Sequence, residues 1–370
     1  MRTSLHPNLH PQELLILNSK LLIKMRQHLN TLFITTEDAF LKKDGAAVAI
    51  KIDGEVKLRV PLHNLEGIVC FGWNTVASAQ LMHACAENNI TLSFHNPHGK
   101  FLVSSRGPIS GNVLLRRTQH RVSDDLEKSL PIAQHIIAAK IANSRTILQR
   151  ALRDHSSDES NNLKVAIDYL SHRIKAALHA ASLDSLRGIE GESAVTYFSV
   201  FNQLITLPEN ERGTFTFKNR SRRPPLDPIN ALLSFLYVML AHDCRSACES
   251  VGLDPQMGFL HRLRPGRQSL ALDLMEELRA YLADRLCLSL INRKQISPKD
   301  FEIKESGAVL LKEDSRKTIL IAWQERKAQE ITHPFIQEKI TIGLLPQIQA
   351  RLLARHLRGD LDAYPAFILK

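Results

Sequence analysis

The sequence predicts an α+β protein: a small N-terminal β-rich domain followed by a larger all-α domain that carries the chemistry. Three observations lead there. Residues 30–110 hold short β-branched runs with alternating polarity. From about residue 126 apolar residues recur at three- and four-residue spacing. The chain has 370 residues, 44% of them hydrophobic, which is enough for two domains with sizeable cores.

Thr31-Leu32-Phe33-Ile34-Thr35 and Ala47 to Ile52 read as strands. Asp53-Gly54 supplies the positive φ of a tight hairpin turn into Val56–Val60. Ile68-Val69-Cys70-Phe71 reads as a short buried strand. Residues 76–88 are expected to be helical, with strands again at 91–95 and 101–103. Helices are expected at 131–148, 163–181, 186–205, 228–251 and 268–291, with a polar connection at 154–162. Pro224-Pro225 keeps 212–228 a loop. A strand pair is expected at 301–303 and 308–311, then amphipathic stretches rich in Lys and Arg at 313–330 and 334–358. The domains are placed at 25–115 and 116–370. Residues 1–24 differ in character from the rest, and Met25 opens a segment leading into the first strand, so 1–24 is expected to be an upstream, non-native extension. The intact mass of natively expressed protein tests this.

Five scattered cysteines (Cys70, Cys85, Cys244, Cys248, Cys287) form neither a disulfide framework nor a zinc pattern, and fit buried thiols in a reducing cytoplasm. Leu14–Leu17 is too short for a secretory signal, and no apolar run spans a bilayer. The net charge of +10 therefore points to nucleic acid, with a basic protein lacking any polyanion partner as the alternative.

Within this basic chain, two segments concentrate acids. One is Arg187-Gly188-Ile189-Glu190-Gly191-Glu192. The other runs from Gly252 through His261 and Gly266-Arg267 to Asp273 and Glu276-Glu277. On a helix, Asp273 and Glu276 share a face, with Glu277 beside them. Gly188 and Gly191 are expected to let a partner helix approach Glu190 closely. His261 is expected on a loop folding back over the acidic helix. Carboxylate oxygens with one imidazole suit Mg²⁺ or Mn²⁺. Each element also has a plain reading: a solvated acidic face, a structural histidine, arginines covering apolar surface with their stems. Arg220, Arg222 and Arg223 on the proline-bounded loop, and Arg262, Arg264 and Arg267 beside His261, are the candidate DNA contacts. No phosphate-cradling Gly-x-x-x-x-Gly-Lys-Ser/Thr stretch is present. Metal-dependent chemistry on phosphodiesters, as in a repair nuclease, and a non-catalytic DNA-binding scaffold both remain open on residue types alone.

In several ordered blocks the chain resembles the CRISPR-associated spacer-acquisition integrase, the universal adaptation protein of CRISPR systems. The blocks are Pro61–Val69, Gly107-Pro108 with Gly111–Arg117, Arg187–Gly191, Pro228–Ser234, Gly252–Glu277, Thr332–Phe335, Gly343–Pro346 and Arg358–Pro365. The last resembles the type I-C branch. The resemblance implies a dimerising β-domain and a helical catalytic domain. It implies metal ligands at Glu190, His261 and Glu276, with Asp273 matching a neighbouring acid of open role. It further implies a metal-dependent endonuclease that inserts short double-stranded DNA fragments at CRISPR repeat borders and also cleaves branched DNA. The implied assembly is a homodimer joined to a small ferredoxin-like partner in a heterohexamer, in a prokaryotic cytoplasm.

Overall fold

The computed structural model describes residues 30–88, 90–96, 101–105, 113–154, 160–212 and 215–369. The expected extension 1–24 and the Gly107-Pro108 and Gly111-Asn112 motifs lie outside the described residues.

Two four-stranded sheets build the N-terminal part. One has the order β1 (Asn30–Ile34), β5 (Leu65–Phe71), β7 (Thr91–His95), β8 (Phe101–Ser105), with β1, β5 and β7 parallel and β8 antiparallel to β7. The other has the order β4 (Glu55–Pro61), β3 (Ala47–Ile52), β2 (Phe40–Asp44), β6 (Val76–Ala77). The β3–β4 turn has φ of 52° at Asp53 and 79° at Gly54, the conformation that pair was expected to supply. Strand β5 is covered on both faces. Ile68 and Cys70 point into the core between the sheets, and Val69 and Phe71 into the helical core. A strand buried on both sides reads as a continuous apolar run.

The expected helix 76–88 is shorter. Val76 and Ala77 pair with Phe40 and Leu41, and α1 (Ala79–Glu87) starts only where the Ser78 hydroxyl accepts from Leu81 N at 3.3 Å. The strand β2 was not foreseen, because Lys42, Lys43 and Asp44 hide its alternation.

The helical part comprises α2 (Val113–Asp124), α3 (Leu126–Asp154), α4 (Ser160–Leu178), α5 (Leu183–Ser199), α6 (Pro228–Ser250), α7 (Ser269–Arg279), α8 (Arg285–Asn292), α9 (Glu313–Ala328) and α10 (Leu345–Leu357). A single turn at Glu209–Arg212 and a π-helical turn at Ala280–Asp284 complete it. The helix expected at 186–205 stops at Ser199, before a 3-10 turn at Phe201–Leu204. This part is not purely helical. The expected hairpin β9 (Phe301–Ile303) and β10 (Val309–Leu311) is present, and β11 (Glu330–Thr332) pairs with β12 (Lys339–Thr341) where 334–358 had read as one amphipathic stretch. Central to the bundle is α3, 29 residues long, which packs against α4, α5 and α7. Beside the apolar contacts of Val69 and Phe71, polar pairs cross the seam with the β-domain: Thr91 Oγ1 lies 2.7 Å from Ser246 Oγ, and Gln324 Nε2 donates to Thr31 O at 2.9 Å.

Candidate metal centre

Three helices and one loop converge on the acidic residues. Helix α5, capped by Ser182, presents Glu190. Helix α7 presents Asp273, Glu276 and Glu277, all three buried. The acidic face expected at Asp273 and Glu276 turns inward rather than to solvent, which a charge tolerates only with partners.

Those partners differ for each acid. The Asp273 carboxylate accepts four hydrogen bonds. Oδ2 takes the N–H groups of Phe259 and Leu260 at 2.6 and 3.0 Å, and Oδ1 takes the His261 N–H at 3.0 Å and the His261 ring Nδ1 at 2.6 Å. A carboxylate only accepts, so Nδ1 carries the proton and the neutral ring keeps its Nε2 lone pair. Asp273 therefore folds the His261 loop over α7 and orients the ring. Close approach requires Gly258: a Cβ there would stand 2.6 Å from Asp273 Oδ2 and 2.8 Å from the Ser269 carbonyl carbon. Arg187, three residues before Glu190, ties the same loop to α5 by donating from Nε and Nη2 to Leu260 O at 3.1 and 2.5 Å.

Glu276 lies at the centre. His261 Nε2 is 3.8 Å from its Oε1, and Arg279 Nη2 is 2.9 Å from the same atom. Lys140, from α3, reaches between the two glutamates: its ammonium is 2.7 Å from Glu276 Oε2 and also bridges to Glu190 Oε1. Burial alone would raise the Glu276 pKa, but the charges of Arg279, Lys140 and His261 hold it down at about 2. For His261, burial works against protonation, yet the Asp273 hydrogen bond and the charges of Asp273 and Glu276 prevail and raise its pKa above the usual value.

Glu277 has a different task. It accepts from the Tyr364 hydroxyl, from Phe367 N at 2.5 Å and from Gln349 Nε2 at 3.2 Å. Burial outweighs these bonds and lifts its pKa to about 7. Nearby, Asn143 Nδ2 donates to the carbonyls of Glu277 and Phe367 at 2.7 and 2.8 Å. The C-terminal segment is thus stitched to the back of α7.

The donor set fits a hard divalent cation. Glu190 and Glu276 offer carboxylate oxygens, and His261 offers Nε2. Glu276 Oε2 is buried and receives no directed hydrogen bond, only the nearby Lys140 charge. Among the described residues no three acidic, His or Cys side chains converge closely enough to encircle an ion, and the Lys140 ammonium lies between the two glutamates.

The expected role of Gly188 and Gly191 is not seen: a Cβ at either would meet nothing within 4 Å, so among the described residues no helix packs closely on them. Of the six candidate arginines, Arg222, Arg223, Arg262 and Arg264 are exposed and Arg267 is half-buried. Arg220 turns inward. It donates to Asn230 Oδ1 at 2.6 Å and Ser234 Oγ at 3.2 Å, and lies 5.3 Å from the Tyr237 ring centroid. Arg262 pairs with Asp184 at 3.0 Å. Sequence reasoning missed Lys140, Arg279, Arg187 and Gly258. For Lys140 a signal existed: it is the one charge inside the apolar run Ile136-Ile137-Ala138-Ala139-Lys140-Ile141-Ala142.

Comparison with known proteins puts the chain in the class of CRISPR-associated endonucleases. The sequence model of the family described as CRISPR associated protein Cas1 matches residues 32–325, and the chain belongs to that family. It is 54% identical over 351 residues to CRISPR-associated endonuclease Cas1 2 of Rhodospirillum rubrum, covering 94% of this chain and 100% of that one. It is 51% identical over 345 residues to CRISPR-associated endonuclease Cas1 1 of Chlorobaculum tepidum, covering 93% and 99%. Among solved structures, a Cas1 protein from Thermotoga maritima shares the fold with a TM-score of 0.76 at 22% identity, covering 92% of this chain and 100% of that chain. A casposase bound to integration product does so at 0.77 and 23%, covering 92% and 95%. Among the described residues no helix is long and apolar enough to cross a membrane.

Proposed function

We propose that this chain is the integrase of CRISPR adaptation, of a type I-C-like system, and inserts short double-stranded DNA fragments at the repeat borders of the array. The carrying observation is the centre itself: Glu190 and Glu276 face each other across a cation, with the His261 ring turned toward Glu276 by a saturated Asp273. Glu190, His261 and Glu276 are the ligands in this reading and Asp273 the group that orients His261. A bound Mg²⁺ or Mn²⁺ would polarise a non-bridging phosphate oxygen and lower the pKa of an attacking hydroxyl or water. The chain's own residues do the rest. Arg187 and Asp273 fix the His261 loop, and Arg279 keeps Glu276 ionised. The exposed Arg222, Arg223, Arg262 and Arg264, with Arg267, grip the DNA backbone. Each fragment 3′-hydroxyl then attacks a phosphodiester at a repeat border. One ester is exchanged for another, so no nucleotide fuel is needed. With water as nucleophile the same site cleaves branched DNA.

The working assembly in this reading is a homodimer through the β-domain (25–115), with the helical domain (116–370) catalytic, joined to a small ferredoxin-like partner in a heterohexamer in a prokaryotic cytoplasm. A chain of the solved Cas6-RT-Cas1–Cas2 complex shares this fold, with a TM-score of 0.76 at 22% identity over 93% of this chain and 36% of that one. The test mixes the protein and its partner with a labelled DNA fragment, a supercoiled plasmid bearing the repeat, and Mg²⁺ or Mn²⁺. Label joined at repeat borders by wild type, but not by Glu190→Ala or His261→Ala, supports the reading. Metal-dependent cutting of branched DNA without joining would make the protein a repair nuclease. Binding without either reaction would make it a scaffold.

A further inference from the structure

Lys140 is 14% exposed at its side chain, in a stretch of helix that buries Ile136, Ile137 and Ile141. A buried ammonium needs anionic partners. Here the partners are two glutamates from two different helices, and both are ligands in the proposed function. Glu276 already has a second cation, Arg279, at 2.9 Å. The gap between the glutamates is thus filled by a cation of the protein's own. Like charges a few ångströms apart repel strongly where water is scarce, so a divalent ion and this ammonium cannot share the gap.

The ammonium also has somewhere to go. Lys140 lines a solvent-open cleft with about 30 Å³ of water-accessible space, whose other walls include Ser144, Ser193, Asp284 and the guanidinium groups of Arg220, Arg222 and Arg279. A lysine head rides on a flexible four-carbon stem, so it can leave the glutamates toward the solvent-open side of this cleft while α3 stays in place.

We propose that Lys140 is a built-in competitor of the divalent ion: it holds Glu190 and Glu276 together as their counter-ion, and ion binding must expel it from the gap between them. This rests on the assignment of Glu190, His261 and Glu276 as ligands. Lys140 is a positioning residue in this scheme. It preserves the spacing of the two carboxylates when divalent ion is scarce, and it sets the ion concentration at which the centre fills.

The experiment measures Mn²⁺ binding by electron paramagnetic resonance of the free ion, and thermal unfolding in EDTA and in saturating Mn²⁺. It compares wild type, Lys140→Gln, Lys140→Arg and Glu190→Ala. The scheme expects Lys140→Gln to bind Mn²⁺ about tenfold tighter, since a nearby positive charge is gone. It expects Lys140→Gln to melt below wild type in EDTA and together with it in Mn²⁺. Lys140→Arg, which keeps the charge, shows no tightening. A purely structural lysine would instead leave the same melting deficit in both conditions. Unchanged or weaker Mn²⁺ binding by Lys140→Gln, with Glu190→Ala binding lost, overturns the competitor role alone. Glu190→Ala binding as tightly as wild type overturns the ligand assignment and the competitor role with it.

Discussion

Asp273 and His261 are joined twice through one oxygen: Asp273 Oδ1 accepts both the backbone N–H of His261, at 3.0 Å, and its ring Nδ1, at 2.6 Å. The pair fixes the position and the tautomer of the ring together. Asp273→Asn keeps the shape but loses the charge and can present a donor to Nδ1. It is expected to weaken Mn²⁺ binding about 10–100-fold, read by titration. The proton competes with the ion at Nε2, so binding in wild type weakens as pH falls through the raised His261 pKa. Without the Asp273 charge that pKa falls, and the acid limb of the variant's binding curve moves to lower pH.

Gly258→Ala drives a methyl group against Asp273 and Ser269, and is expected to cost about 1–3 kcal/mol of stability by overpacking. Gly188→Ala meets nothing and sits in an exposed stretch of helix, so it is expected to stabilise by about 0.5–1 kcal/mol. Urea unfolding of the two variants checks both signs.

Glu276 and Glu277 are neighbours with separate tasks. Glu276→Gln is expected to abolish Mn²⁺ binding. Glu277→Gln brings donors against the Tyr364 hydroxyl, Phe367 N–H and Gln349 amide, costing about 1–3 kcal/mol while leaving ion affinity unchanged. Ion titration and thermal unfolding on the same samples separate the two effects.

His242 is buried in the polar seam, its Nδ1 3.4 Å from Ser93 Oγ. Burial first, then the charges of His95, Arg245 and Lys327, push its pKa from 6.5 down to about 3. The unfolded chain therefore takes up this proton before the folded one. The contribution is complete above pH 6.5 and is lost as pH falls toward 3. His242→Gln is expected to flatten the acid limb of a melting-temperature profile over that range. His333, pushed to about 4 chiefly by burial, adds a slope of the same sign.

Arg222 and Arg264 reach solvent, whereas Arg220 is spent on Asn230 and Ser234. Replacing Arg222 or Arg264 by Ala is expected to lower the salt dependence of DNA binding by about one unit each, with stability unchanged. Arg220→Ala is expected to lower the melting temperature instead. Binding isotherms at several salt concentrations, with melting curves, tell these apart.

The candidate acids and histidine of the centre stood out in the sequence because they sit in two compact segments, which the fold brings near one another. Lys140 escaped notice because it is held on α3, far from both segments in sequence, and only three-dimensional packing brings it between Glu190 and Glu276. Asp273 read as an acid of open role because residue type cannot say which carboxylate has its oxygens already taken. Glycines misled in the same way: Gly188 and Gly191 drew attention by flanking Glu190, yet the tight approach falls at Gly258. Strands announced by alternation, such as β3, were clear, while β2 showed only Phe40 and Leu41 before its charges.

Strand β5 gives alternate side chains to two different cores, Ile68 and Cys70 to one, Val69 and Phe71 to the other. Neither half of the molecule can lose its packing without stripping a wall from the other. Heat should therefore melt the protein as one cooperative unit, with a single calorimetric peak, and truncating Val69 should shift that peak without splitting it.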